Sequence, residues 1–269
     1  MSYSLTESIV YFIIITIGYI VLKFVITPSL TSDKEKAASG KKYGYILALA
    51  YMFLTLIGQT VINFSNAKQI CQNSSQSFFN ILLYTFLPNF FILGSIILLV
   101  AVIPGWLSPF SNTVGYALVT LMGLSRYFNE LLRPNDGTGG NKILTKIYSD
   151  KSIIINEMTA SNYEEFMKGL AKGGKTLIQN YNTKKMANGK VPYNEIFRLI
   201  NLKNIIAEGI WYLLAGCLAI SIASNAVLNI QCEYTPKQMA DMHAKIKAQQ
   251  AKMHADSEKN PPQLYSKHT

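Results

Sequence analysis

The sequence predicts an all-α, multi-pass helical membrane protein with four transmembrane helices and a fifth candidate, and three observations predict it. Residues 8–26, 43–64, 78–103 and 205–230 are each apolar over about 20 residues, the length that crosses a hydrocarbon core about 30 Å thick. Lys23 and Glu208 are the charges within those stretches, and each lies close enough to a span end to reach the interface. The chain of 269 residues is 49% hydrophobic and only 15% charged, and the charge is concentrated between the apolar runs.

The first run reads as an uncleaved signal anchor, because residues 1–7 carry no basic side chain and the run is too long for a signal peptide. In the first connector Lys34, Lys36, Lys41 and Lys42 outnumber Asp33 and Glu35, which assigns it to the cytoplasmic face and the N-terminus to the other. The second span then ends at a short outer loop, residues 66–77. The third crosses back, with Pro88-Asn89 in its middle predicting a kink.

Residues 104–132 are expected at the membrane interface. Trp106, set between Pro104 and Pro109, suits headgroup depth as an interface anchor. Beyond it, residues 112–132 are apolar first and polar later, and Thr113, Tyr116, Thr120, Gly123, Tyr127 and Glu130 share one helical stripe. That pattern fits an interfacial or re-entrant helix, or a fifth span. Residues 133–204 form a small polar region, α or α+β, in which Ser152 to Asn156 looks strand-like. The last span follows at 205–231 and a basic tail at 232–269. Met239, Met242, Ile246 and Met253 fall near heptad positions in the tail, predicting an amphipathic helix over 236–257, which Asn260-Pro261-Pro262 ends.

The formal charge is +10, and 13 of the 25 Lys and Arg lie in residues 104–204 against 7 acids. Basic charge on a membrane protein marks the untranslocated side and sits well against anionic headgroups. The lipid bilayer is thus the first partner, and an acidic protein partner or nucleic acid the less favoured ones.

Cys71 and Cys232 each follow the end of a span, while Cys217 lies inside the last. In a four-span topology both emerge on one face, where they are either a disulfide or two interfacial thiols. A fifth span would separate them. The sequon Asn73-Ser74-Ser75 adjoins Cys71 and hints at the same outer face.

Gly169 to Thr176 reads GLAKGGKT, the pattern of a phosphate-binding loop with Lys175 at the phosphates. That chemistry needs the loop to leave a buried strand and open a helix, and here an acidic, helical stretch precedes it. The match is read as coincidence and Lys168, Lys172 and Lys175 as a solvated basic face. Ser221, Ser224, Asn225 and Asn229 place polar groups in the last span, which interhelical hydrogen bonding accounts for better than a transport pathway. Ala215, Ala219 and Ala223 recur at four-residue spacing, a helix-packing face for this bundle or for a second copy. His243, His254 and His268 all lie in the tail, with no cluster at ligand spacing. The sequence therefore predicts no catalytic, cofactor-binding or metal site, no cofactor and no small-molecule substrate.

Three passages carry a resemblance: PGWLSPFSNTVGY at 104–116, KIYSDKSIIINEMTASNYEEF at 146–166, and IWYLLAGCLAISIASNAVLNIQC at 210–232. Together they resemble a family of multi-pass virion membrane proteins of the nucleocytoplasmic large DNA viruses. Two departures are the Ala223-Ser224-Asn225 run, where an aromatic is expected between serine and asparagine, and the tail. The resemblance implies a structural, non-enzymatic protein of the inner membrane beneath the capsid, inserted first into a host endoplasmic-reticulum-derived membrane. Its polar region, through basic residues and the apolar patch Ile153 to Ile155, would hold capsid or minor capsid proteins to the bilayer. The rival readings are a viral channel or transporter, and a fusion component that brings the virus into the cell.

Overall fold

The computed structural model describes residues 3–26, 34–71, 78–132, 146, 149–172, 178, 185–186, 189–232, 234 and 236–259. The fold is all-helical, and four helices are long and apolar enough to cross a membrane, which makes this a multi-pass helical membrane protein. In lipid the backbone must satisfy its own hydrogen bonds, so each long apolar run becomes a helix. α1 is Tyr3–Ile26 and α2 is Lys34–Ile70, so the basic first connector is helical from Lys34 onward.

The third span is built in three pieces: α3 (Phe78–Pro88), a π-helical segment (Asn89–Gly94) and α4 (Ser95–Val102). Pro88 brings no backbone N–H and crowds the carbonyl one turn back. The helix absorbs this as a wider π turn directly after Pro88. Ile103 leaves the helical region at φ −120° and ψ 82°, as the residue before Pro104 must.

Residues 112–132 do not form a helix long enough to be a fifth span. A 3₁₀ turn (Pro104–Leu107), α5 (Ser108–Phe110), a π turn (Ser111–Gly115), α6 (Tyr116–Leu121) and α7 (Leu124–Leu131) follow in short steps. The break between α6 and α7 falls at Gly123, whose φ of 97° is open to glycine at little cost. The inward stripe also differs from the expected one. Ser111, Gly115, Val119, Leu124, Phe128 and Leu131 are buried, whereas Thr113 is exposed and Tyr116, Thr120, Gly123, Tyr127 and Glu130 lie half-buried at the edges.

α8 (Ser152–Ile155), α9 (Tyr163–Lys172) and the first turns of α10 (Pro192–Leu228) pack on that stripe. Ser152 to Asn156 is thus a helical turn and not a strand. Asp150 starts it, its carboxylate accepting the Ser152 N–H at 2.9 Å and the Ser152 hydroxyl, and those donors hold its carboxyl below the usual range. The turn sends Ile154 and Ile155 into the core and leaves Ile153 outside, so the apolar contact patch shrinks to Ile153. Tyr163 is buried against Tyr193 and Phe197 and donates to the Tyr193 carbonyl at 2.7 Å, and burial raises its phenol. Among the described residues the sole β pairing is an isolated antiparallel bridge between Leu132 and Ile178.

The buried side chains form three clusters along the long axis. The first is the core of the polar region, around Leu124, Phe128, Ile155, Met167, Ile196 and Ile200. A second, around Phe12, Tyr19, Tyr51, Leu93, Tyr212 and Ile220, fills the middle of the bundle. The third, Ala67, Ile81 and Val227, lies at the far end. Outward faces of the spans stay apolar and exposed, as at Ile14, Phe53, Phe91 and Leu218, which is the surface lipid would cover. α11 (Pro236–Lys259) is the tail helix, with Met239, Met242, Ile246 and Met253 all exposed.

Candidate functional site at the junction of bundle and polar region

α10 is one unbroken helix of 37 residues and belongs to both halves of the molecule. Pro192 begins it at the first-turn position where a missing N–H costs nothing. Its first turns supply Tyr193, Ile196 and Ile200 to the core of the polar region, and its later turns supply Tyr212, Ala215 and Ile220 to the bundle. Tyr19, Tyr51 and Tyr212 of the bundle cluster belong to a layer of charged and aromatic side chains.

Lys23 and Glu208 do not reach separately for the interface. They pair, with Lys23 Nζ 2.6 Å from Glu208 Oε1 and 2.5 Å from Oε2. Oε1 also accepts the hydroxyls of Tyr19 at 2.6 Å and Tyr212 at 2.8 Å, and Lys23 Nζ donates to the Tyr19 oxygen at 3.0 Å. Tyr51 completes the layer, stacked on Tyr212 with ring centroids 5.5 Å apart, and shares a 3.0 Å hydrogen bond with Thr16. A carboxylate given this many donors is stable away from water, where a lone one would not be. The arrangement is a neutral lock between α1 and α10. Its signal was present in the sequence, since Tyr19 and Lys23 on one helix and Glu208 and Tyr212 on the other are each one turn apart.

Small residues let the two helices approach. A Cβ at Gly216 would meet the ring of Phe12, and one at Gly209 would meet the Ile20 side chain. Ala215, Ala219 and Ala223 are buried on the same inward face of α10, so the structure places them inside this chain's own bundle.

The segment from Pro104 to Gly115 forms a collar around α10 at the junction. Trp211 Nε1 donates to the Trp106 carbonyl at 2.9 Å, and the Trp211 ring lies 5.6 Å from Trp106 and 4.9 Å from Phe110. Trp106 itself remains 41% exposed. Ser111 donates to Asn204 Oδ1 at 2.7 Å, and buried Lys203 donates to the Ile155 carbonyl at 3.1 Å and Asn112 Oδ1 at 3.2 Å. Arg198 lies over the Phe24 ring at 4.8 Å, carrying the contact from α10 to the end of α1.

Gly115 is where collar and helix come closest, for a Cβ there would stand 2.6 Å from the Lys203 carbonyl oxygen. Backbone cannot swing aside as a side-chain tip can. Gly115→Ala is therefore expected to destabilise by roughly 2 kcal/mol, whereas Gly209→Ala, which meets the Ile20 side chain and no backbone, costs less. Thermal unfolding of the two purified variants in one detergent checks the order.

Cys71 and Cys232 are joined by a disulfide at the opposite end of the bundle, with Cα atoms 5.4 Å apart. It ties the end of α2 to the chain just after α10. Cys217 is a free thiol within the bundle. The sequon at Asn73 and His268 lie outside the described residues, as does the second half of the GLAKGGKT run. Its first half, Gly169 to Lys172, is the end of helix α9, so a helix and not a strand leads into the motif. His243 and His254 stand on α11, and among the described residues no group of three His, Cys, Asp or Glu could hold a metal ion. Compared with protein-family models, with curated proteins and with solved structures, the chain matches none.

Proposed function

We propose that this protein is a structural anchor of the virion membrane of a large DNA virus, whose polar region holds capsid or minor capsid proteins to the bilayer beneath them. The observation that carries the reading is α10, which serves as core helix for the polar region and for the membrane bundle alike. A tether needs its gripping part fixed to its embedded part, and a shared helix with a locked junction supplies that. The basic excess in residues 104–204 offers a surface to acidic protein or to anionic headgroups. The three passages that resemble the virion family lie in the collar, the polar core and α10. A disulfide at the far end fits insertion through an endoplasmic-reticulum-derived membrane, because the lumen oxidises thiols and the basic side stays cytoplasmic.

The test is a photo-crosslinking residue at exposed Ile153 in assembled particles. A covalent product with a capsid or minor capsid protein is expected, and particles made without the protein should fail to join capsid to membrane. Particles that assemble normally without it, and no crosslink at Ile153, would sink the reading. The disulfide favours a second reading, a fusion component displayed on the outer face. In that case particles lacking the protein assemble fully and do not infect.

A further inference from the structure

A second polar layer lies between the Lys23–Glu208 lock and the disulfide. α2 buries Tyr51, Thr55, Gln59 and Asn63 at successive turns, and α1 adds Ser8, α3 adds Thr85 and the π segment adds Asn89. Three primary amides in this layer share one pattern. Gln59 Nε2 donates to the Ser8 carbonyl at 2.9 Å, Asn63 Nδ2 to Thr85 Oγ1 at 2.9 Å, and Asn89 Nδ2 to the Thr85 carbonyl at 2.8 Å. In each case the amide oxygen is buried and has no hydrogen-bond partner. The residues are 1%, 0% and 3% exposed, so bulk water does not supply one.

The three are neighbours. Thr85 fastens Asn63 and Asn89 to the same turn of α3, and Gln59 precedes Asn63 by one turn on α2. Thr85 has no proton left to give, since its hydroxyl donates to the Ile81 carbonyl at 2.9 Å. The hydroxyls of Ser8, Thr55 and Ser224 are buried as well, and none of them makes a hydrogen bond to these amide oxygens. One water brings two protons and leaves at least one of the three amide oxygens bare. A cation satisfies oxygens from several sides at once.

The chemistry of the donors selects the cation. Neutral amide and hydroxyl oxygens are hard ligands, which excludes the soft metals that seek thiolate or imidazole. Divalent calcium and magnesium are held by carboxylates, and Glu208 is already committed to Lys23. Neutral oxygens beside an irregular helix turn in mid-membrane suit a monovalent alkali ion. We propose that Gln59, Asn63 and Asn89 bind a monovalent cation of the sodium or potassium class, which fastens α1, α2 and the third span together.

The test is thermal unfolding of the full-length protein in detergent, with sodium or potassium chloride titrated against choline chloride at constant ionic strength. Sodium or potassium should raise Tm by several degrees in a saturable way, and choline should not. Asn63→Leu and Asn89→Leu should abolish that increment, and Asn89→Asp, which adds a carboxylate in the same shape, should lower the half-saturating concentration at least several-fold. Should the leucine variants fail to fold, the aspartate variant and direct binding of radiolabelled sodium to the wild type, displaced by unlabelled salt, decide the matter. Equal Tm in all three salts, with no displaceable sodium bound, overturns the proposal and leaves ordered water in the layer.

Discussion

Lys23→Met is expected to destabilise the bundle by about 3 kcal/mol, the cost of leaving a buried carboxylate without its counter-charge. Glu208 keeps the Tyr19 and Tyr212 hydroxyls, but two neutral donors do not replace an ammonium group held at 2.5 Å. The converse change, Glu208→Gln, should cost less. The Lys23 side chain is 22% exposed against 9% for Glu208, so the freed ammonium can extend along α1 toward the headgroups. The double variant Lys23→Met/Glu208→Gln should recover most of the loss, because a buried pair exchanged for neutral groups of similar size is often tolerated. Unfolding titrations of the four proteins form a double-mutant cycle. Additive losses in the double variant would show that the two groups do not act as a pair.

Removing the disulfide is the second large effect. Cys71 and Cys232 stand 161 residues apart in sequence, and a crosslink over so long a loop restricts the unfolded chain strongly. Spans that remain helical in detergent or lipid already limit that chain, so the expected loss is about 2–4 kcal/mol, within the usual range for a native disulfide. Cys71→Ser, Cys232→Ser and chemical reduction should all lower Tm to a similar degree, while Cys217→Ser should leave it near the wild-type value. A reduced protein that unfolds at the same temperature as the oxidised one would contradict this.

The four spans were legible because lipid leaves the backbone few choices, and length with composition is enough to locate such helices. Other elements turn on where neighbours sit. Three consecutive isoleucines at 153–155 have the composition of a strand, yet Asp150 holds the Ser152 N–H at the start of a helical turn there and the polar core takes two of them. Residues 112–132 carry enough apolar character for a span, but Gly123 breaks the helix and α7 turns its apolar face to Ile155 and Met167. Glu208 and Lys23 look like separate end-of-span charges because their pairing crosses 185 residues of chain. Periodicity on each helix holds half of that pairing, and only the packing of α1 on α10 joins the halves. Likewise, a polar residue in a span, such as Gln59 or Asn63, shows its type in the sequence but not that its oxygen lacks a partner.

The length of α10 gives the molecule a mechanical character. At 1.5 Å per residue its 37 residues extend about 55 Å, and a hydrocarbon core of about 30 Å leaves close to half the helix outside. α2 has the same number of residues, and the disulfide joins the two near their far ends. A pull on the projecting half of α10 is therefore carried lengthwise through the bundle to Cys232 and returned along α2 from Cys71. Load of that kind must shear packed helices past one another rather than peel them apart turn by turn, so the chain is braced against force directed along the membrane normal.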